Sequence, residues 1–94
     1  MSIKTQNHPA GVIIKKNYSN GQLAVFYQDY DGEPIAELSV NENSVELVSN
    51  EFILKNYSEN ACIAKEFLKT KIFIPTNRFV LIGSNLCPVC NITV

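Results

Sequence analysis

Cys87-Pro88-Val89-Cys90 is the most compact pattern in this chain that could do chemistry. Two thiolates at this spacing can hold one metal ion or oxidise to each other, and two such ligands are half of a tetrahedral zinc site. Cys62 and His8 would formally complete a Cys3His set. But His8 falls in a polar N-terminal stretch, Cys62 falls early in a helix-forming run, and no second C-x-x-C knuckle exists. A redox role needs the motif at a helix N-terminus, where the thiol pKa falls; here Val89 onward reads as extended. The simpler reading is two small apolar side chains at a strand entry, with Pro88 setting a turn. No metal or other cofactor is assigned, and a zinc-stabilised structural or interaction domain stands as the alternative to the reading reached below.

Other catalytic arrangements have little to build on. His8 is the sole histidine, so any Ser-His or Cys-His pair must use it. Asp29, Asp31 and Glu33 cluster around a turn. General acid–base work needs a concave, partly desolvated site, and calcium needs more ligands than this trio supplies. The four glycines are scattered, with no phosphate-cradling loop among them. The expectation is a protein that is not an enzyme.

The charge distribution is more informative. Asp29, Asp31, Glu33, Glu37, Glu42, Glu46 and Glu51 lie between Asn17 and Leu54, a segment without a single base. Lys4, Lys15 and Lys16 precede it; Lys55, Lys65, Lys69, Lys71 and Arg78 follow it, so a net charge of −1 conceals a segregated chain. Acids spread over strands and turns are often just a solvated face. Surfaces usually intersperse both signs, however, and a segregated field can steer a basic partner or match the basic half of a second copy. The overall balance gives no reason to expect direct nucleic-acid binding. The odd cysteine count and the absence of an apolar leader point to a reduced, cytoplasmic setting, and no stretch is long enough to span a membrane.

The positioning elements follow from turn signals and periodicity. Residues 1–10 are polar and read as a flexible arm. Gly11 to Lys16 is rich in β-branched residues and reads as a strand. Asn20-Gly21 predicts a two-residue hairpin turn, Gln22 to Gln28 the returning strand, Asp31-Gly32 a second turn, and Ile35 to Val40 a third strand. Val45 to Val48 is a short apolar run, and Glu51 to Lys55 alternates like a strand. Ser58 is the expected N-cap of a helix whose stripe is Ile63, Ala64, Phe67 and Leu68, and Pro75 bars its continuation. Arg78 to Ile82 and Cys90 to Val94 read as strands separated by Gly83-Ser84-Asn85. The predicted class is α+β: one domain over 11–94, an antiparallel meander with one α-helix packed on a face.

Several local patterns together resemble a family of small uncharacterised proteins of bacteria, their phages and mobile elements. They are Tyr18-Ser19-Asn20-Gly21, the run Asp31-Gly32-Glu33-Pro34-Ile35-Ala36-Glu37-Leu38-Ser39-Val40-Asn41, the run from Asn50 to Asn60, and Pro75-Thr76. The similarity covers most of residues 18–94, and its motifs concern turns and caps. It supplies no activity and no catalytic residue. What it implies is a setting in which small acidic proteins occlude the nucleic-acid-binding surface of a host defence protein, as anti-CRISPR and anti-restriction inhibitors do. The expected function is such a phage-type inhibitor, binding a basic defence protein, a CRISPR–Cas component foremost. Asp29, Asp31, Glu33, Glu37 and Glu42 are the expected contacts, and self-association into a homodimer is a further expectation.

Overall fold

The fold is α+β, described from a computed structural model that covers residues 2–3 and 10–94. Two four-stranded sheets are present among the described residues, both antiparallel. The first has the order β1 (Ser2–Ile3), β2 (Gly11–Asn17), β3 (Leu23–Asp29) and β4 (Pro34–Glu37). The second has the order β5 (Ser39–Val40), β6 (Glu51–Leu54), β8 (Asn85–Ile92) and β7 (Phe73–Ile82). A 3-10 turn over Ser58–Asn60 leads into the helix α1 (Ala61–Lys69). The stretch read as a flexible arm therefore contributes a short strand: Ser2 and Ile3 lie opposite Val12 and Gly11. His8 lies outside the described residues.

The predicted meander is present, and its turns have a common chemistry. Gly21 donates its N–H to the Tyr18 carbonyl at 2.9 Å, and Gly32 donates to that of Asp29 at 3.1 Å. In each loop the glycine takes positive φ, +89° and +88°. Asn20 and Asp31 do not, so neither loop is the expected two-residue turn. Each is a tight turn closed by a left-handed glycine, the three-residue hairpin loop with a bulge. Asn20 and Asp29 brace these loops: Asn20 Oδ1 accepts from Gln22 N, and Asp29 Oδ1 accepts from Asp31 N and Glu33 N. Gly11 serves a different need, close approach, since a Cβ there would overlap the Gln28 carbonyl oxygen of the paired strand.

The predicted third strand is broken in two. Leu38 still donates its N–H to the Val25 carbonyl of β3 at 2.8 Å, but its own carbonyl accepts from Lys55 N, just past β6, at 2.8 Å. The chain thus leaves the first sheet at Glu37 and enters the second at Ser39. The Val25 N–H, which a continuing β4 would have accepted, donates instead to Ser39 Oγ at 2.8 Å. A hydroxyl replaces a carbonyl, and a buried donor stays satisfied.

That switch encloses the core. Tyr27 of β3 meets Phe67 of α1 edge-on at 5.3 Å, Phe67 meets Phe73 of β7 at 5.1 Å, and Phe73 meets Phe52 of β6 edge-on at 4.8 Å. Four fully buried rings therefore tie the first sheet through the helix to the second. Val25, Leu38, Leu54, Ile63 and Cys90 fill the space around them. The expected helix stripe is the face used, with Ile63, Ala64 and Phe67 buried. Its start differs from expectation. Ser58 has φ +53°, which excludes the extended N-cap conformation, and no side chain caps either helical segment. Glu59 instead pairs with Lys55 at 2.7 Å, and Asn60 reaches across to the Glu37 carbonyl at 2.6 Å. Replacing the central ring, Phe67→Ala, is expected to cost about 3–5 kcal/mol of folding stability, read as a lowered denaturant midpoint. A loss below about 1 kcal/mol would show that the two sheets cohere without it.

Candidate functional site

The acidic segment lines one flank of the first sheet. From Pro34 to Glu42 the chain runs antiparallel beside β3: Pro34 lies opposite Gln28 and Glu37 opposite Phe26. Past the switch, Glu42 reaches the start of β3, where Gln22 Nε2 donates to its carbonyl at 2.8 Å and Gln22 Oε1 accepts its N–H at 3.1 Å. Asp29, Asp31 and Glu33 therefore sit at one end of β3 and Glu42 at the other, with Glu37 between. At about 3.3 Å per residue, β3 sets the length of this row at roughly 20 Å. The five expected contacts form a string along one margin, not a compact cluster.

Their carboxylates are held differently. Asp31 and Glu33 are exposed, and their carboxylates meet no partner among the described residues. Asp29 is half-buried and commits one oxygen to its turn. Glu42 accepts from both the N–H and the hydroxyl of Ser44. Glu37 accepts the Tyr18 hydroxyl at 2.7 Å. Among the described residues none of the five forms an ion pair; the pairs present are Lys55–Glu59 and Arg78–Glu51. Glu51 thus departs from the acidic surface. It is buried, accepts from Arg78 Nη1 at 3.2 Å and from Val48 N at 3.0 Å, and ties β7 to the loop before β6.

A proton-ordered chain underlies the middle of the row. Val25 N–H donates to Ser39 Oγ, the Ser39 and Tyr18 hydroxyls lie 2.8 Å apart, and Tyr18 donates to Glu37. With the Tyr18 proton on Glu37, the Ser39 proton must point to Tyr18. Burial pushes the Tyr18 phenol up from 10.0 to about 12, against the lowering bond from Ser39 and with Glu37 adding to the rise. Nothing local in the sequence marks this chain, because Tyr18, Val25 and Ser39 come from three separate segments.

The cysteine motif lies inside β8, not at a turn. Alternation along a strand puts residues three apart on opposite faces. Accordingly Cys90 lies in the core between the sheets, whereas Cys87 lies on the far side with Ile53 and Val89. The two thiols cannot share one metal or one bond from this backbone, and no cluster of three potential metal ligands occurs among the described residues. Pro88 ends a ladder here. The β6–β8 register runs through Ile53 opposite Val89, so its next step would need a donor from Pro88. Asn56 then covers the Leu86 carbonyl with its side-chain amide. Burial pushes the Cys90 thiol up to about 12 and raises that of Cys87, the latter against a lowering backbone bond from Asn56.

A cleft of about 750 Å3 opens between the β2–β3 loop and residues 43–48, lined by Asn20, Gln22, Asn43, Glu46 and Arg78 among others. Its cation is already engaged, since Arg78 Nη2 donates to the Glu46 carbonyl at 2.9 Å and Nη1 to Glu51. Its remaining polar lining is largely amide, without a nucleophile–base pair. No helix among the described residues is long and apolar enough to cross a membrane.

Comparison with protein-family models, curated proteins and solved structures finds no match to this chain.

Two measurements check this arrangement. A thiol reagent should modify exposed Cys62 in the native protein and reach Cys87 and Cys90 after unfolding; rapid native labelling of all three would contradict the strand assignment. Tyr18 carries a folded pKa above its unfolded value, so it contributes stability below pH 10 that is lost as pH rises toward about 12. Tyr18→Phe should remove a late-ionising phenol from an ultraviolet alkaline titration and flatten that part of the stability profile. An unchanged profile would place Tyr18 in open solvent.

Proposed function

We propose that this protein is a non-enzymatic binding protein that docks the acidic flank of its first sheet onto a basic, nucleic-acid-handling defence protein in the host cytoplasm. The observation that carries the reading is the uncompensated row: Asp29, Asp31, Glu33, Glu37 and Glu42 follow β3 end to end, and no base of the same chain pairs with any of them among the described residues. Uncompensated carboxylates on a rigid strand margin present a directional negative field, which accelerates encounter with Lys/Arg-lined surfaces and penalises acidic ones. The row suits a groove that normally follows a nucleic-acid backbone, and the protein would act there by occupancy. The phage-type setting, with a CRISPR–Cas component as the foremost partner, comes from the resemblance of the turn and strand motifs.

The contributions along the row are unequal. Asp31 and Glu33 are free to engage a partner directly. Asp29 holds the loop that displays them, so its removal should act through loop geometry, at about 1 kcal/mol. Glu37 and Glu42 add field while serving Tyr18 and Ser44.

The test uses a partner retained by the immobilised protein from a host lysate. Asp31→Lys combined with Glu33→Lys is expected to leave the fold intact, slow association about tenfold or more at low salt, and flatten its salt dependence. Association that keeps its rate and salt slope in this variant would reject the acidic flank as the docking surface.

A further inference from the structure

The second sheet ends on an edge with a different character. Strand β7 is the last in the order β5-β6-β8-β7, so one side of it has no neighbouring strand among the described residues. Its first half is guarded. Pro75 lacks a donor, and a bulge between Pro75 and Phe79 carries Asn77 at φ +70°. The Thr76 hydroxyl closes that bulge, accepting from Arg78 N and donating to the Val89 carbonyl. Its second half, Phe79 to Ile82, has no such device. Ile82 lies opposite Asn85 across a two-residue loop, so that pair exchanges backbone hydrogen bonds, as does Val80 with Cys87 two residues on. By alternation the N–H and C=O groups of Phe79 and Leu81 point away from β8, to the open edge. The Pro88 position agrees, since it faces Phe79 at a site where no donor toward β7 is required.

The side chains beside this edge are large, apolar and exposed. Phe79 is 56% exposed, Leu81 66% and Leu86 60%. Leu81 faces Leu86 and Phe79 faces Pro88, so all four lie on one face of the hairpin. From Phe79 to Val94 the chain has no charged residue and no histidine.

We infer that β7 is a homodimer edge: Phe79 to Leu81 of one copy pairs antiparallel with the same segment of a second copy about a twofold axis at Val80. Three observations select a second copy as occupant. The outward-pointing residues are symmetric about Val80, so Phe79 of each copy meets Leu81 of the other as a hydrogen-bonded pair and all four edge groups on each side are used. A twofold perpendicular to the sheet keeps faces matched, which merges Phe79, Leu81 and Leu86 of both copies into one apolar band. The segment is neutral, so two copies of a chain with segregated charge can meet here without like charges in contact, and the acidic flank of the other sheet stays open. The three side chains expose on the order of 300 Å2, below the roughly 800 Å2 per partner of a standard interface. The dimer is therefore weak and in rapid exchange.

Sedimentation of the full chain from low concentration to about 1 mM tests this, at low and high salt. The expected result is a monomer–dimer equilibrium whose dimer persists at high salt, in contrast to the salt-sensitive binding of the acidic flank. Leu81→Lys, at an exposed position, should weaken dimerisation at least about tenfold with an unchanged circular dichroism spectrum. A second variant serves if that one fails to fold: Val80→Cys in a Cys62→Ser background should give a disulfide-linked dimer under mild oxidation, since the two residues face each other across the axis. A chain that stays monomeric at about 1 mM, a dimer indifferent to Leu81→Lys, or a dimer that Val80→Cys does not cross-link would each overturn the inference.

Discussion

The Val25 N–H is the constraint around which this structure is organised. Once the chain leaves the first sheet at Glu37, a donor in the middle of β3 loses its ladder partner in a buried place. An unsatisfied buried amide costs about 1–3 kcal/mol, a large share of what a domain of this size has to spare. Ser39 Oγ takes that bond, one residue after Leu38 has bonded to both sheets. The exchange lets one continuous segment close two sheets over a common core. The hydroxyl then donates its own hydrogen bond to Tyr18, and Tyr18 donates to Glu37. A packing requirement in the interior thereby fixes the rotamer of a carboxylate on the surface.

The same architecture sorts the surface by chemistry. Because β4 and its continuation run beside β3, acids far apart in sequence fall along one margin. Glu51 escapes this because its strand belongs to the second sheet, where Arg78 of β7 reaches it. The second sheet, by contrast, is apolar on both faces. One covers the aromatic core, and the other is covered by Val40, Val45, Leu47 and Tyr57. The β7–β8 hairpin extends past the covering on the aromatic-core side, which is why Phe79, Leu81 and Leu86 stand in solvent while Val80, Ile82 and Cys87 on the other face pack into the second cluster. Acidic flank and neutral edge lie on different sheets.

Much of the first sheet was legible from the sequence. Asn20-Gly21 and Asp31-Gly32 mark the hairpins because a left-handed residue at a tight turn is a local demand that glycine meets alone. The turn subtype was not legible, since the flanking register decides whether Asn20 and Asp31 must also take positive φ. The helix stripe was legible from its period, whereas the expected Ser58 cap fails, because Ser58 takes positive φ while Asn60 bonds the remote Glu37 carbonyl and Glu59 pairs with Lys55 one turn back. Arg78 to Ile82 was legible as a strand, but the exposure of Phe79 was not, because hydrophobicity cannot tell a strand's covered part from its overhang. The proximity of Asp29, Asp31 and Glu33 was legible from one turn; that Glu42 continues their row depends on the side chain of Gln22.

Composition and order along the chain were enough to determine most of the segments that extend, which one coils and where the charges are segregated, because all three depend on neighbours within a few residues. Tertiary structure decided that Ile35 to Val40 is divided between two sheets, that Cys87 and Cys90 face opposite ways, and that five carboxylates share a margin while Glu51 does not. The physical reason is the same in each case. Strand alternation gives every side chain a face, but which neighbour covers that face is settled by bonds between segments that meet when the chain closes on itself.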